Sequence, residues 1–476
     1  MGKYKTLLLN VGLFALNSVA TKLISFFLVP LYTTYMSAGE YGLTDMANTV
    51  ISLILPLVTL DIADAAVRYI VGEKENRDKY AAISFSITGI SVLIVALFSP
   101  LLDLGIFGGL GEFKVWFTVD YAAVAFMTLF GEISRGAGSI RIIPLCAGVA
   151  SVVTLASAVA LIAGSGLGIY GYFISVSIGP TVAILIYLTV GGLGSMILRG
   201  FQELAIGGLS LVRRISTPMI RYALPLIPNS LFWWMSTSIN RFFITGMIGI
   251  AASGLFAAAG KIPSLINTCY GIFQQAWQLS VFEESDDRGI AGFYSTVFRI
   301  VSSGLTILCA LITLSAPLLA SAILKGETYD AWPMIPILLI ANLFNVFNAF
   351  YGTVYTSTLN TGFIMRTTIF GALSCIVCTP LFILMMGTYG ACIASIVGQG
   401  VVLVLRASDS KKYIPFDAGW KTLIPIILIL CIQSLVTAMQ LPCWIIVSLC
   451  CAILVLIVQG YRLFNSFPKF RAVFKK

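Results

Sequence analysis

Apolar side chains run along this chain in long blocks, without the period-two spacing of a half-buried strand. Windows of about 20 apolar residues predict membrane-spanning helices. Fourteen stand out, at about 10–35, 43–68, 81–105, 115–136, 141–164, 167–190, 219–247, 252–280, 292–324, 332–358, 366–386, 388–406, 421–438 and 444–462. Several contain proline, among them Pro30, Pro56, Pro225 and Pro228. A spanning helix tolerates such breaks where neighbouring helices or water satisfy the freed backbone groups. The first block follows a short basic segment with Lys3 and Lys5 and is too long for a signal-peptide core, so it reads as a retained span. Residues 36–42 and 248–251 are Gly-containing turns.

The longest internal connection is 191–218. Met196, Ile197, Leu204, Ile206 and Leu211 interleave there with Arg199, Glu203, Arg213 and Arg214, the pattern of an amphipathic segment on the inner leaflet. It divides the chain into a six-helix lobe over 1–190 and a second over 219–410, with two further helices and a basic tail over 411–476. A faint repeat fits two lobes. Asn17-Ser18 and Gly42 recur as Asn229-Ser230 and Gly254, both at an offset of 212.

Composition narrows the class. Of 476 residues, 58% are hydrophobic and 10% charged, against roughly 25% charged in soluble domains. A soluble enzyme, a disordered chain and a collagen-like chain are excluded; an all-α integral membrane protein remains. The chain has no histidine, which removes His-based acid–base chemistry, the usual zinc sites and a Ser-His-Asp triad. The ten cysteines form no disulfide framework, and Cys309, Cys392 and Cys431 lie inside apolar runs. Cys375 and Cys378 make a lone CxxC within a span, where packing is the expected role. There is no GxxxxGK[ST] of an ATPase. Neither a metal nor a cofactor is expected.

The net charge of +9 is explained by its distribution. An even number of spans puts both termini on one side. With that side in the cytoplasm, 24 of the 29 Lys and Arg fall on inner loops and span ends, from Lys3 through Arg135 and Arg406 to Lys476. Only Lys114 and Lys325 fall outside. This asymmetry is the positive-inside signal, and a missed span would invert it. The surplus therefore faces anionic membrane lipid rather than nucleic acid. Lys22, Arg241 and Lys261 are left inside spans.

Polar stripes accompany those three cations. Span one carries Asn10, Asn17, Ser18, Thr21, Lys22 and Ser25; span two Asp45, Asn48, Thr49, Ser52 and Thr59, then Asp61, Asp64 and Arg68. Span seven carries Ser230, Trp234, Thr237, Arg241 and Thr245; span eight Lys261, Ser264, Thr268, Gln275 and Gln278; span ten Asn342, Asn345 and Asn348. Any single Ser, Thr or Asn is ordinary helix glue, whereas five stripes with three cations favour a hydrated cavity. Lys22 lies roughly 18 Å and Lys261 roughly 14 Å along their spans, near the midplane. An unpaired cation there costs at least ~2.5–3.5 kcal/mol. Arg241 is nearer the outer end, where snorkelling or pairing competes. Asp64 and Arg68 are spaced for an i,i+4 pair. Asp61, Asp103, Asp120 and Glu132 are open between pairing with cations, carrying a coupling ion and lying at interfaces. Lysines on facing lobes favour an anionic ligand, with phosphate and pyrophosphate foremost.

Short motifs carry a resemblance. Lys22-Leu23-Ile24-Ser25-Phe26, Pro30-Leu31, Glu40-Tyr41-Gly42 and Arg68-Tyr69 resemble the opening of the oligosaccharide (Wzx-type) flippases of the polysaccharide transporter family. That family shares a superfamily with the MATE drug exporters and the lipid II flippase. Asn240-Arg241-Phe242, Ser253-Gly254-Leu255-Phe256 and Ala259-Gly260-Lys261-Ile262 are similar to the start of its second lobe, where the family often has Asp-Arg in place of Asn240-Arg241. Ala276-Trp277, Tyr329-Asp330-Ala331-Trp332 with Pro336, and Tyr389-Gly390-Ala391 also fit. The resemblance implies two six-helix lobes around a central cavity plus two C-terminal helices. It implies movement of an undecaprenyl-pyrophosphate-linked oligosaccharide from the inner to the outer leaflet of the bacterial cytoplasmic membrane by alternating access. A polysaccharide polymerase is then a candidate partner.

On this reading Lys22, Arg241 and Lys261 hold the pyrophosphate. Asn17, Thr21, Asn48, Thr237, Thr268, Gln275 and Asn345 line the cavity, and Asp45, Asp61 and Asp64 are candidates for ion coupling. Two alternatives compete. A MATE-like exporter of cationic drugs needs carboxylates where the drug lies, and span one has none. A membrane glycosyltransferase or polymerase needs catalytic acids on sizeable loops; the run Glu283-Glu284-Ser285-Asp286-Asp287 reads instead as a solvated loop.

Overall fold

The computed structural model of the chain describes residues 24, 26–283, 290–358 and 362–473, leaving aside the side chains at 272, 275, 276, 278–283 and 467–473. Among these residues the chain is helical throughout its ordered elements, and eleven helices are long and apolar enough to cross a membrane. Eleven of the fourteen sequence-predicted spans have a counterpart in that set. Of the other three, 10–35 lies mostly outside the described residues. The second, 219–247, is broken into short helices, and the third, 252–280, falls within one long helix.

The chain divides into two compact units, residues 1–234 and 235–476. In the first, residues 26–35 are helical. They are followed by α1 (Ala38–Val58), α2 (Ile62–Gly72), α3 (Arg77–Phe98), α4 (Lys114–Gly136), α5 (Ile142–Ala158), α6 (Gly168–Thr189) and α7 (Leu193–Ala223). Helix α8 (Leu226–Ser238) crosses the unit boundary. A reciprocal capping box starts α1. Ser37 Oγ accepts from the Glu40 N–H, and Glu40 Oε2 accepts from the Ser37 N–H at 2.8 Å.

Small residues let the helices of this unit approach closely, as expected where packing rather than solvent drives association. A Cβ at Gly179 of α6 would collide with the Thr154 hydroxyl and the Ala150 carbonyl of α5. A Cβ at Gly200 of α7 would collide with the Asp78 carbonyl of α3. Ion pairs flank that second contact: Arg199 Nε to Asp78 Oδ2 at 2.7 Å, and Lys79 Nζ to Glu203 Oε2 at 3.1 Å. Met196, Ile197 and Leu204 are buried on the same side of α7, in a core with Ile62, Ala66, Tyr80, Phe130 and Tyr187. The amphipathic segment is thus a helix docked on its own unit. It kinks at Gly208 (φ 64°, ψ −169°), and beyond the kink Leu209 is exposed.

The second unit contains α9 (Asn240–Met247), α10 (Ile250–Glu283), α11 (Ile290–Leu314), α12 (Ala316–Ile323), α13 (Met334–Ser357), α14 (Gly362–Met386), α15 (Thr388–Asp409), α16 (Trp420–Ala438) and α17 (Trp444–Val473). Helix α13 is its centre and is buried along most of its length. Aromatic rings lock α13 to its neighbours. Trp277 stacks on Phe350 with centroids 5.0 Å apart and donates Nε1 to Thr353 Oγ1 at 3.1 Å. Buried amides and hydroxyls fasten the last two helices: Gln433 Nε2 donates to the Ala310 carbonyl and Ser448 Oγ, each at 3.0 Å, and Ser303 Oγ to Gln459 Oε1 at 2.8 Å.

Two sequence readings are corrected here. The Asp64–Arg68 ion pair is not formed among the described residues, and both side chains are exposed. Arg406 is not a solvated orientation charge. It is buried in the second unit, donating from Nε to Thr367 Oγ1 at 3.0 Å and from Nη1 to the Asn348 carbonyl at 2.8 Å. Cys375 of the CxxC is likewise a packing residue, its thiol donating to Asn240 Oδ1.

Candidate functional site

The second unit holds a polar pocket of about 230 Å³ at the height of α9. Arg241 enters it from α9, Ser236 and Thr237 from the end of α8, Gly260, Ser264 and Asn267 from α10, Asn342 and Asn345 from α13, and Ser395 and Gln399 from α15. Phe256, Leu338 and Ala341 supply an apolar side. No carboxylate is among the described residues of its wall. An arginine set among neutral amides and hydroxyls attracts an anion and offers many donors to polar groups beside it.

The amides are tied to each other. Asn267 Nδ2 donates to Asn342 Oδ1, Asn345 Nδ2 donates to Asn267 Oδ1 at 3.3 Å, and Asn342 Nδ2 donates to the Leu338 carbonyl at 2.8 Å. Such a linked array has its rotamers set before a ligand arrives, so less ordering is lost on binding. Beneath Arg241, Asn240 fixes the helix. Its Nδ2 donates to Ser395 Oγ at 2.7 Å, and its Oδ1 accepts from Thr379 Oγ1 at 2.6 Å. Asn240 therefore uses both its donor and its acceptor, which a carboxylate at this position would not do.

Of the sequence-predicted residues, the structure brings Arg241, Thr237 and Asn345 to this pocket. Lys261 is half-buried on α10, between the wall residues Gly260 and Ser264, without lining the pocket itself. Thr268 stands one turn beyond, its Oγ1 donating to the Ser264 carbonyl at 3.2 Å. Asn17, Thr21 and Lys22 lie outside the described residues, as does the side chain of Gln275. Asn267, Ser236, Ser395 and Gln399 were not singled out from sequence. A lone neutral polar residue in an apolar helix gives no spacing signal until its partner helix is known.

The remaining candidates lie in the first unit, spread along α1 and the start of α2. The predicted span 43–68 is not one helix: it breaks after Val58, and α2 restarts at Ile62. Leu60 and Asp61 turn the chain with φ of 56° and 51°, a left-handed conformation that is uncommon and strained for side-chain-bearing residues. Asp61 Oδ2 accepts from Ser230 Oγ at 3.1 Å. Farther along, Trp234 Nε1 donates to the Thr49 carbonyl and to Ser52 Oγ, each at 3.1 Å. Asp45 is buried on α1, whereas Asp64 is exposed. Asn48 Nδ2 donates to the Tyr172 hydroxyl at 2.7 Å. Asp103 pairs with Lys114 at 3.5 Å and Glu132 with Arg135 at 3.0 Å, so those two acids serve structural pairs.

These features match known proteins. A family model described as polysaccharide biosynthesis protein matches residues 7–278, more than half of the chain. The chain belongs to that family. No curated protein matches it. Among solved structures, it is similar to the lipid II flippase MurJ in an inward closed conformation, at 14% identity with a TM-score of 0.66, covering 95% of this chain and 99% of that one. It is also similar to an inward-facing multidrug resistance MATE family transporter, at 16% identity with a TM-score of 0.67, covering 84% and 98%. A third similar structure is a transporter of the same superfamily from Pyrococcus furiosus, described as having a binding pocket of reverse polarity, at 18% identity with a TM-score of 0.57, covering 85% and 96%. Together they show a multi-pass membrane protein with the fold of these transporters.

Proposed function

We propose that this chain is a flippase, not an enzyme, and that it carries an undecaprenyl-pyrophosphate-linked oligosaccharide from the inner to the outer leaflet by alternating access. The observation that carries the reading is the pocket at Arg241, a cation among amides and hydroxyls with no carboxylate among its described wall residues. The guanidinium suits a pyrophosphate oxygen pair, and the Asn, Ser and Gln side chains suit sugar hydroxyls. Lys261, beside the pocket wall, and Lys22 supply further positive charge on this reading. Membership of a polysaccharide biosynthesis family and a fold shared with a lipid II flippase support it. The protein then works in the bacterial cytoplasmic membrane with both termini inside, delivering its product to a polysaccharide polymerase. Asp45, Asp61 and Asp64 are the acids proposed to couple an ion gradient, with Asp61 foremost because it sits at the α1–α2 break.

Charge removal tests the reading. Arg241→Ala, and Lys22→Ala combined with Lys261→Ala, should lower surface polysaccharide roughly tenfold or more at normal protein level, as loss of a charged hydrogen bond predicts. The lipid-linked intermediate should then accumulate in the inner leaflet, where mass spectrometry identifies its glycan. Full polysaccharide in all of these variants would end the anion-site reading. The acids of the first unit favour one competing reading, export of cationic drugs; a gene-dependent rise in drug resistance would support it.

A further inference from the structure

The second unit contains another, larger cavity, of about 990 Å³, where α15 ends, α16 begins and α17 passes its Arg462. Arg299, Lys411, Lys421 and Arg462 line it, with Asp417 as the one carboxylate among its described wall residues. That carboxylate is already committed. It accepts from Arg299 Nη2 and, at 2.8 Å, from the Gly419 N–H, and these contacts hold it below the usual carboxylate range.

Arg462 is the informative residue. Its Nη2 donates to the Ala418 carbonyl at 2.9 Å, while its Nη1 is buried and finds no acceptor among the described residues. An orphaned donor on a cation is costly and points to an anionic acceptor. The local backbone is built to bring this guanidinium in. Gly419 has φ 67°, and a Cβ there would collide with the Arg462 guanidinium. Gly419 also caps α16 without a side chain, which leaves the positive end of that helix facing the cavity wall at Trp420 and Lys421.

The cavity is not wholly polar. Phe416, Trp420 and Ile457 form part of its wall, and Ile457 is exposed. From there Ile453 and Leu454 on α17, with Ile424 and Leu428 on α16, continue an exposed apolar surface along two membrane-spanning helices. A basic pocket at the end of a lipid-facing apolar flank matches a two-part ligand, a phosphate with acyl chains.

We propose that this cavity binds the phosphate-bearing headgroup of an anionic phospholipid, whose acyl chains lie against the exposed faces of α16 and α17. The site is separate from the Arg241 pocket and does not depend on the translocation reading. The test uses the full-length protein in nanodiscs of phosphatidylglycerol or phosphatidylcholine, with retained lipid read by native mass spectrometry and protection read by thermal unfolding. The wild type should retain phosphatidylglycerol about tenfold better than phosphatidylcholine, and Arg462→Gln should reduce that preference severalfold. Lys411→Gln with Lys421→Gln, both exposed positions, should do the same without disturbing the fold. Equal retention of the two lipids, or a preference that survives both sets of substitutions, would overturn the proposal. So would equal protection by glycerol phosphate or inorganic phosphate, which would assign the pocket to a soluble phosphate.

Discussion

At the residue scale, Arg241 and Asn240 show what a sequence reveals and what it hides. A cation inside an apolar window is conspicuous because its burial is expensive, so Arg241 could be named from its surroundings alone. Asn240 was visible only as a departure from a motif. Its role depends on two other helices arriving at once: Ser395 comes from α15, and Thr379 and Cys375 from α14. Arg406 went the other way, since a basic residue at a span end looks like an orientation charge until packing buries it. The Asn240 network makes a definite prediction. Asn240→Asp removes the donor to Ser395 and buries a charge, and should destabilise the purified protein by about 1–3 kcal/mol. A thermal unfolding profile identical to wild type would show that the amide's donor contributes nothing.

At the element scale, hydropathy located most helices and missed where they break. The window 43–68 is uniformly apolar enough to read as one span, because the transfer of side chains into lipid does not depend on φ. The break at Leu60 and Asp61 is a backbone event, set by local geometry that hydropathy cannot register. Behind it, the Asp61 N–H donates to the Pro56 carbonyl at 3.1 Å and the Ile62 N–H to the Thr59 carbonyl at 3.2 Å, so the turn keeps its backbone satisfied. Leu60→Gly should hold or raise the unfolding temperature despite the lost side chain, since glycine adopts positive φ without the ~1–2 kcal/mol steric cost. Leu60→Val keeps the apolarity but adds a β-branch, and should destabilise by about 1–2 kcal/mol. The reverse order would mean that side-chain packing, not the left-handed turn, governs this position. Asp61→Asn tests coupling at the same break. It keeps an acceptor for Ser230 and tolerance of the turn, so stability should stay near wild type while gradient-driven transport falls. Transport that keeps its wild-type dependence on the gradient would remove Asp61 from the coupling role.

At the scale of the whole molecule, the question is which way the helices face. The turns at Lys114 and Lys325 carry few cations, and both lysines are anchored locally: Lys114 by Asp103, Lys325 by the Ser321 carbonyl. By contrast, the docked helix α7 and the α15–α16 connection carry clusters of cations, including Arg199, Arg213, Arg214, Lys411 and Lys412. A cation cluster resists translocation across a membrane, so this distribution predicts that the two clusters face the cytoplasm. The Arg462 cavity belongs to the same face as Lys411 and Lys421, which line it. Orientation thus decides which leaflet supplies its lipid. Reporter fusions at 212 and 415 should therefore signal from the cytoplasm, and fusions at 108 and 326 from outside. The sites 108 and 212 lie within the first unit, and 326 and 415 within the second, so each unit is oriented by its own two reporters. A cytoplasmic signal at 326 together with an outer signal at 415 would invert the second unit alone. It would place the Arg462 cavity on the outer leaflet and require an even count of spans between 212 and 326, where the hydropathy pattern predicts three.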